Sequence, residues 1–421
     1  MKILVIGSGG REHAFAKKIA TSQHVQQVYC APGNARMAQD GIQLVAIGET
    51  DTENLIAFAK MQAIDWVFVG PELPLYHGVS DALEQAGIPV FAPSQAAAKL
   101  EYSKDFAKQL MARYRIPTAD FRTFTDLDSA RAYVKEKGAP IVIKADGLAA
   151  GKGVVVAQTL SEALSALDAI FLDVNYTYAD GVRVVIEEFL EGEEFSLFAF
   201  VNGTKVYFAG VSQDHKRAYD GDTGPNTGGM GAYSPVPHLP NTIIEESMAT
   251  VVQPIVDALY QEGIPYKGVL YAGLMLTKKG IKVIEFNARF GDPETQVVLQ
   301  QLESDLARSI DDILHEREPE IQWRENSVTV GVVVAAEGYP NKPVSGFRLG
   351  TLAVPAQLEL FAAGVEKAND AYVATGGRLF LVSAQAETID MARKEVYDWL
   401  EQQEFPQTFY RKDIGKKALE Q

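Results

Sequence analysis

The stretch Ile141-Val142-Ile143-Lys144-Ala145-Asp146-Gly147-Leu148-Ala149-Ala150-Gly151-Lys152-Gly153-Val154-Val155-Val156 decides how this chain is read. Two β-branched runs enclose a glycine-rich centre, which makes it strand–loop–strand, with lysines at the base and tip of a hairpin. A P-loop would need four residues between its first glycine and the Gly-Lys pair, then Ser or Thr, then a helix. Here three residues separate Gly147 from Gly151, Gly153 follows Lys152, and a strand comes next. Lys144 alternates with inward apolar residues, so its ammonium needs an anionic partner.

Upstream, Ile3–Ile6, Gln27–Ala31, Trp66–Val69 and Val90–Ala92 read as strands, with helices such as His13–Ala20 and Val79–Ala86 between them. Such alternation predicts an α/β, doubly wound parallel sheet. Ala96–Tyr114 reads as one helix leading through Ile116-Pro117 into the hairpin region. Downstream come longer strands, a Gly-Pro-Asn-rich segment and the strand Ile281–Asn287. A composition shift at Gln322–Ser327 precedes a last unit with strands at Val330–Ala335 and Arg378–Ser383 and an amphipathic helix near Ile389–Gln402. No internal repeat is present.

With 421 residues the chain has room for about three domains, and 47% hydrophobic with 22% charged residues excludes a disordered chain. Its net charge of −16 argues against nucleic acid or an anionic membrane as the main partner. The single cysteine, Cys30, excludes an intrachain disulfide and reads as a small buried apolar residue. The six histidines never stand four apart, so no zincin-type metal site is expected. The first residues enter a strand at once, no long apolar run follows, and a cytoplasmic protein is expected.

Four further segments carry chemistry. Gly7-Ser8-Gly9-Gly10-Arg11-Glu12 lies between a strand and a helix, where glycines and free helix N–H groups suit a phosphate. It fails as a dinucleotide signature, because Glu12 replaces the third glycine and the next strand ends Cys30-Ala31-Pro32-Gly33-Asn34 without a ribose-binding acid. A phosphosugar suits it better, with Gly33-Asn34 and Gly70-Pro71-Glu72 at neighbouring strand ends. Val185–Glu194 is a strand running into an acid-rich connector. In Glu285-Phe286-Asn287-Ala288-Arg289 the first, third and fifth residues share a strand face; the carboxylate and amide oxygens suit Mg²⁺, and the arginine suits a carboxylate or phosphoryl group. Gln213–Gly231 is too rich in glycine and polar residues to pack as an element, so it reads as a long functional loop.

Together these segments resemble the ATP-grasp ligases, and specifically the glycinamide ribonucleotide synthetase family, over essentially the whole chain. The most specific pieces are Gly7-Ser-Gly-Gly-Arg-Glu-His13, the Lys144–Val154 hairpin, Gln213–Gly231, and Glu285-Phe-Asn-Ala-Arg-Phe-Gly-Asp-Pro-Glu294. The resemblance implies a phosphosugar-binding N-terminal domain at 1–104, a two-lobed ATP-grasp unit at 105–311 with a small lid lobe at about 119–188, and a small α+β domain at 325–421. It implies that Lys104, Lys144, Asp146, Gly147, Gly151, Lys152 and Gly153 hold ATP phosphates, Glu187 and Leu190 meet adenine, and Glu193 meets ribose. Glu285 and Asn287 would bind Mg²⁺ or Mn²⁺. Asp214 and Arg289 would hold glycine, with Gly9, Gly10 and Asn34 near 5-phosphoribosylamine. Arg289, Lys144 and Lys152 would serve the transfer itself, in a monomer whose partners are small molecules. Phosphoryl transfer needs positioning and charge neutralisation more than a protein nucleophile, which suits this residue set. Another ATP-grasp ligase or carboxylase, a nicotinamide-dependent oxidoreductase and a non-catalytic nucleotide-binding regulator remain as alternatives.

Overall fold

A computed structural model describes residues 1–147, 153–172 and 181–420. The N-terminal sheet contains β1 (Lys2–Gly7), β2 (Gln27–Pro32), β3 (Gln43–Leu44), β4 (Trp66–Val69) and β5 (Val90–Phe91), all parallel in the order β3-β2-β1-β4-β5. In the central strand Ile3, Leu4, Val5 and Ile6 are fully buried, as the unbroken apolar run requires of a strand covered on both faces. The edge strand β3 escaped the sequence reading because it is two exposed residues long. Cys30 is buried, as expected.

The single helix expected over Ala96–Tyr114 is two, Gln95–Tyr102 and Lys104–Tyr114. Ser103 breaks them with φ −118° and ψ 103°, and its hydroxyl accepts from the Phe106 N–H at 3.2 Å. The apolar period runs through the break; the capping serine overrides it. Lys104 thereby becomes the first residue of a helix.

The small lobe is antiparallel: β6 (Phe121–Phe124), β7 (Ile141–Ala145), β8 (Val154–Ala157) and β9 (Val184–Glu188), in the order β6-β9-β7-β8. Helices Leu127–Lys137 and Leu160–Leu172 pack against it around Ile143, Leu167 and Ile186. The hairpin tip 148–152, with Gly151 and Lys152, lies outside the described residues.

β10 (Gly192–Gly203), β11 (Lys205–Asp214), β12 (Arg217–Tyr219), β13 (Thr223–Asn226), β14 (Gly231–Ser234), β15 (Tyr266–Thr277) and β16 (Gly280–Asn287) follow. The last unit adds β17 (Val328–Ala336), β18 (Arg348–Gly350), β19 (Leu358–Ala362), β20 (Val365–Ala368), β21 (Ala371–Ala374), β22 (Arg378–Ala386) and β23 (Thr408–Phe409). A single sheet crosses both regions in the order β16-β15-β10-β11-β14-β17-β22-β19, and β23 pairs with β17. The C-terminal strands therefore extend the central sheet, through β14 against β17 with Gly231 opposite Val332. The segment Gln213–Gly231 is not irregular throughout: β12 and β13 form a hairpin with Arg217 opposite Asn226, turning at Gly221 with φ +67°. Backbone pairing makes an element here where side-chain composition gave no sign of one. No helix among the described residues is long and apolar enough to cross a membrane.

Candidate active site

All the units meet around one cleft of about 1090 Å³, bordered by the N-terminal loop, helix Lys104–Tyr114, the small lobe, β16, the β12–β13 hairpin and Arg378 of the C-terminal unit. One wall is cationic. Lys104 Nζ donates to the Gly147 carbonyl at 3.1 Å, and Lys144 Nζ donates to the Ile284 carbonyl at 3.0 Å. Lys144 finds the anionic partner its position demands in Glu187, whose Oε1 lies 2.9 Å away. That carboxylate is buried and also pairs with Lys108 at 2.9 Å. Its side chain is thus committed to two lysines, which leaves its backbone for any adenine contact. Leu190 and Glu193 border the same cleft, Glu193 being paired with His238 and accepting from Gln213 at 3.4 Å.

Asp146 differs from expectation. It is buried, with Oδ1 accepting from the Asp105 N–H at 3.2 Å and Oδ2 from the Ser103 hydroxyl at 3.3 Å. A carboxylate at the start of helix Lys104–Tyr114 satisfies orphan N–H groups and its dipole. It holds the helix that carries Lys104, and it does not border the cleft as Gly147 and Gly153 do.

On β16, Glu285 and Asn287 border the cleft, and Phe286 between them and Ala288 just after the strand are buried. Burial opposes ionisation of Glu285, but Lys216, Lys144 and Lys104 more than offset it and hold the carboxyl below its usual range. Neither side chain hydrogen-bonds or ion-pairs with another described residue, so both oxygens are unspent. That donor set fits Mg²⁺, which keeps waters and takes phosphate oxygens beside one or two protein ligands. No cluster of three or more His, Cys, Asp or Glu suited to a metal occurs among the described residues.

The strand ends at Asn287, so Arg289 lies two residues beyond it and not on the expected strand face; it is already engaged, with Nη2 pairing with Glu101 at 2.8 Å and Nε 3.6 Å from Glu72. Glu101 also accepts from the Ala288 N–H at 2.8 Å, fixing the strand end to helix Gln95–Tyr102. Across the cleft, burial pushes Asp214 up to about 8, with Lys216 opposing and Glu294, Glu194 and Glu285 reinforcing. Arg378 Nη1 donates to the Gly228 and Asp292 carbonyls at 2.8 and 2.7 Å, and Nη2 to Asp292 Oδ2 at 2.9 Å. Lys108, Glu101 and Arg378 were missed in the sequence. Each is distant from the motif it serves, and none sits in a distinctive pattern.

The N-terminal loop departs furthest from expectation. Gly7 has φ +130°, and a Cβ there would meet Glu12 Cγ at 2.5 Å; a Cβ at Gly70 would collide with the same carboxylate. Glu12 accepts from the Gly9 N–H at 2.7 Å and from Arg11 Nε at 2.5 Å. The room these glycines open is filled by a protein carboxylate. Gly10 faces Gln296, whose Nε2 would be 2.6 Å from an added Cβ, and neither Gly10 nor Asn34 borders the cleft. The Asn34 amide donates to the carbonyls of Ser8 at 2.8 Å and Ala362 at 2.9 Å, tying the loop to the C-terminal unit. Ser8, Gly9 and Arg11 do border the cleft.

Three family models match the chain in order: the phosphoribosylglycinamide synthetase N domain at residues 1–101, its ATP-grasp (A) domain at 102–295 and its C domain at 329–417. A phosphoribosylamine–glycine ligase of Streptococcus pneumoniae is 52% identical over 100% of both chains. One from Listeria monocytogenes is 54% identical over 99% of this chain and 100% of the other. The crystal structure of a phosphoribosylamine–glycine ligase from Thermotoga maritima is similar with a TM-score of 0.85 at 32% identity, covering 98% of this chain and 100% of that one.

Proposed function

The chain belongs to the phosphoribosylglycinamide synthetase family, and from that premise we propose that it joins glycine to 5-phosphoribosylamine, converting ATP to ADP and phosphate and yielding glycinamide ribonucleotide for purine biosynthesis. The observation that carries this reading is the conjunction on one cleft of unspent Glu285 and Asn287 oxygens, the Lys104 and Lys144 ammonium groups, and Arg289 two residues past the end of that strand. A divalent cation held by Glu285 and Asn287 would neutralise phosphate charge.

In the proposed sequence a glycine carboxylate oxygen attacks the γ-phosphorus, the bond to the β–γ bridging oxygen breaks, and ADP leaves. The phosphoribosylamine nitrogen then attacks the carbonyl carbon of glycyl phosphate. The C–O bond to phosphate breaks, phosphate departs, and the amine loses a proton. Lys104 and Lys144 orient the nucleotide's phosphates, which suits a reaction governed by placement and charge. Arg289 is held by Glu101 and Glu72 and turns its remaining donors to the glycine carboxylate, while Asp214 takes the ammonium end. Such a charged ligand lowers the Asp214 carboxyl from about 8 by favouring its ionised form. Phosphoribosylamine enters at the Ser8–Gly9–Arg11 end.

The test is an ADP-release assay with each substrate omitted in turn. ADP formation matched by amide, and requiring both glycine and phosphoribosylamine, supports the ligase; ADP formation with bicarbonate replacing glycine contradicts it.

A further inference from the structure

Lys108 stands one turn beyond Lys104 on helix Lys104–Tyr114, and the mechanism above gives it no part. Its side chain is only 3% exposed, with Nζ 5.8 Å from the centre of the Phe121 ring. Nζ pairs with Glu187 Oε2 at 2.9 Å and donates to Thr118 Oγ1 at 2.8 Å; that hydroxyl donates to the Val283 carbonyl at 2.7 Å. On the other oxygen of Glu187, Lys144 pairs at 2.9 Å and donates to the Ile284 carbonyl at 3.0 Å. One carboxylate of β9 is therefore joined, through two lysines on separate elements, to consecutive carbonyls of β16, immediately before Glu285. The two arms are alike: each lysine pairs with its own oxygen of Glu187 at 2.9 Å and spends a directed hydrogen bond elsewhere, Lys108 on Thr118 and Lys144 on the Ile284 carbonyl.

We propose that Lys108 is a positioning residue for the nucleotide: it keeps Glu187 neutralised when Lys144 turns its ammonium to the phosphates. This rests on reading the cleft as the ATP site. Two buried ammonium groups against one carboxylate carry a surplus positive charge that an incoming phosphate absorbs. Without Lys108, Lys144 is the sole counter-charge of a buried acid, and diverting it to phosphate leaves that acid unpaired, a costly state. Burial lowers the Lys108 ammonium and Glu187 offsets part of that, leaving it at about 8, so the group is largely charged at neutral pH.

The experiment compares the full-length wild type, Lys108→Met, and the double variant Lys108→Met/Glu187→Gln. Each is titrated with Mg²⁺ and a non-hydrolysable ATP analogue, then assayed for kcat and for the KM of ATP and of glycine. Lys108→Met should weaken analogue binding and raise the KM for ATP about tenfold, within the range of couplings between contacting charges. Its kcat and glycine KM should stay near wild type. The double variant should recover most of the affinity, because no acid then competes for Lys144. Wild-type binding matched by Lys108→Met overturns the inference alone. So does a parallel loss of kcat and affinity that the double variant deepens, since that marks a merely structural residue. A wild type that binds no analogue overturns the ATP reading and the inference with it. Thermal unfolding checks that each variant folds; should Lys108→Met fail, Lys108→Gln, which retains a donor for Thr118, replaces it with the same outcomes.

Discussion

Two glycine-rich segments reach the cleft, Gly7–Gly10 through Ser8 and Gly9 and Gly147–Gly153 through its described ends, and as sequence they make the same promise of backbone close to phosphate. In the structure they differ. The first is occupied by its own helix: Glu12 takes the space beside Gly7 and Gly70 and the N–H of Gly9. At the described ends of the second, the carbonyl of Gly147 orients Lys104, and Gly153 O accepts from the Ala145 N–H at 2.8 Å, closing β7 on β8 beside Lys144. Glycine reports that something must come near the backbone; the charge of the neighbouring side chains reports what. An acid within reach fills its own loop, while lysines held on regular elements leave room for an anion.

The largest effect that would sharpen this contrast lies on the cationic side. Glu285→Gln removes the charged oxygen proposed to hold the metal, so turnover should fall roughly 10²–10³-fold, the scale of losing a group aimed at developing charge, and half-saturation should need more Mg²⁺. Asn287→Asp keeps an oxygen and should lose less. Steady-state rates across a Mg²⁺ series decide it; an unchanged Mg²⁺ dependence in Glu285→Gln would remove the metal assignment.

On the other loop the expected damage is to stability. Glu12→Ala leaves the Gly9 N–H and the Arg11 Nε without their acceptor, Arg11 Nη1 keeping the Phe290 carbonyl, and should cost about 1.5–3 kcal/mol in denaturant unfolding, with affinity for the ATP analogue unchanged. A fall in nucleotide affinity at unchanged stability would break the comparison, placing the phosphates of ATP on the wrong loop. The smallest effect belongs to Gly10→Ala. Its new methyl presses on the amide end of Gln296 and meets Asp292 Oδ1 at an ordinary 3.7 Å, so unfolding should shift by no more than about 1 kcal/mol, and the phosphoribosylamine KM should hold. A several-fold rise in that KM would restore Gly10 to the substrate site.

What could be read beforehand was local. β1, β7, β8 and β16 were legible because β-branched runs of strand length leave little else for the backbone to do. Glu285 and Asn287 were legible because strand alternation alone puts them on one face. The need of Lys144 for an acid was also legible, but not that Glu187, on β9, would supply it. The pairings of Arg289 with Glu101 and of Arg378 with Asp292 likewise join residues far apart in the chain, and no periodicity records them. The break at Ser103 was hidden for the opposite reason: a strong apolar period masked a single capping hydroxyl. The sheet that continues from β14 into β17 depends on Gly231, since a Cβ there would lie 2.6 Å from the Gly331 carbonyl oxygen. Such closeness between strands almost a hundred residues apart is a property of the assembled sheet.

The central claim is that this cleft activates the carboxylate of glycine by phosphorylation. Glycine labelled with heavy oxygen in its carboxylate tests it directly when turned over with ATP, Mg²⁺ and phosphoribosylamine, with the released phosphate analysed by mass spectrometry. The mechanism predicts one labelled oxygen in each phosphate formed, because the attacking carboxylate oxygen leaves with phosphorus when the amide forms. Label-free phosphate at full turnover would contradict it.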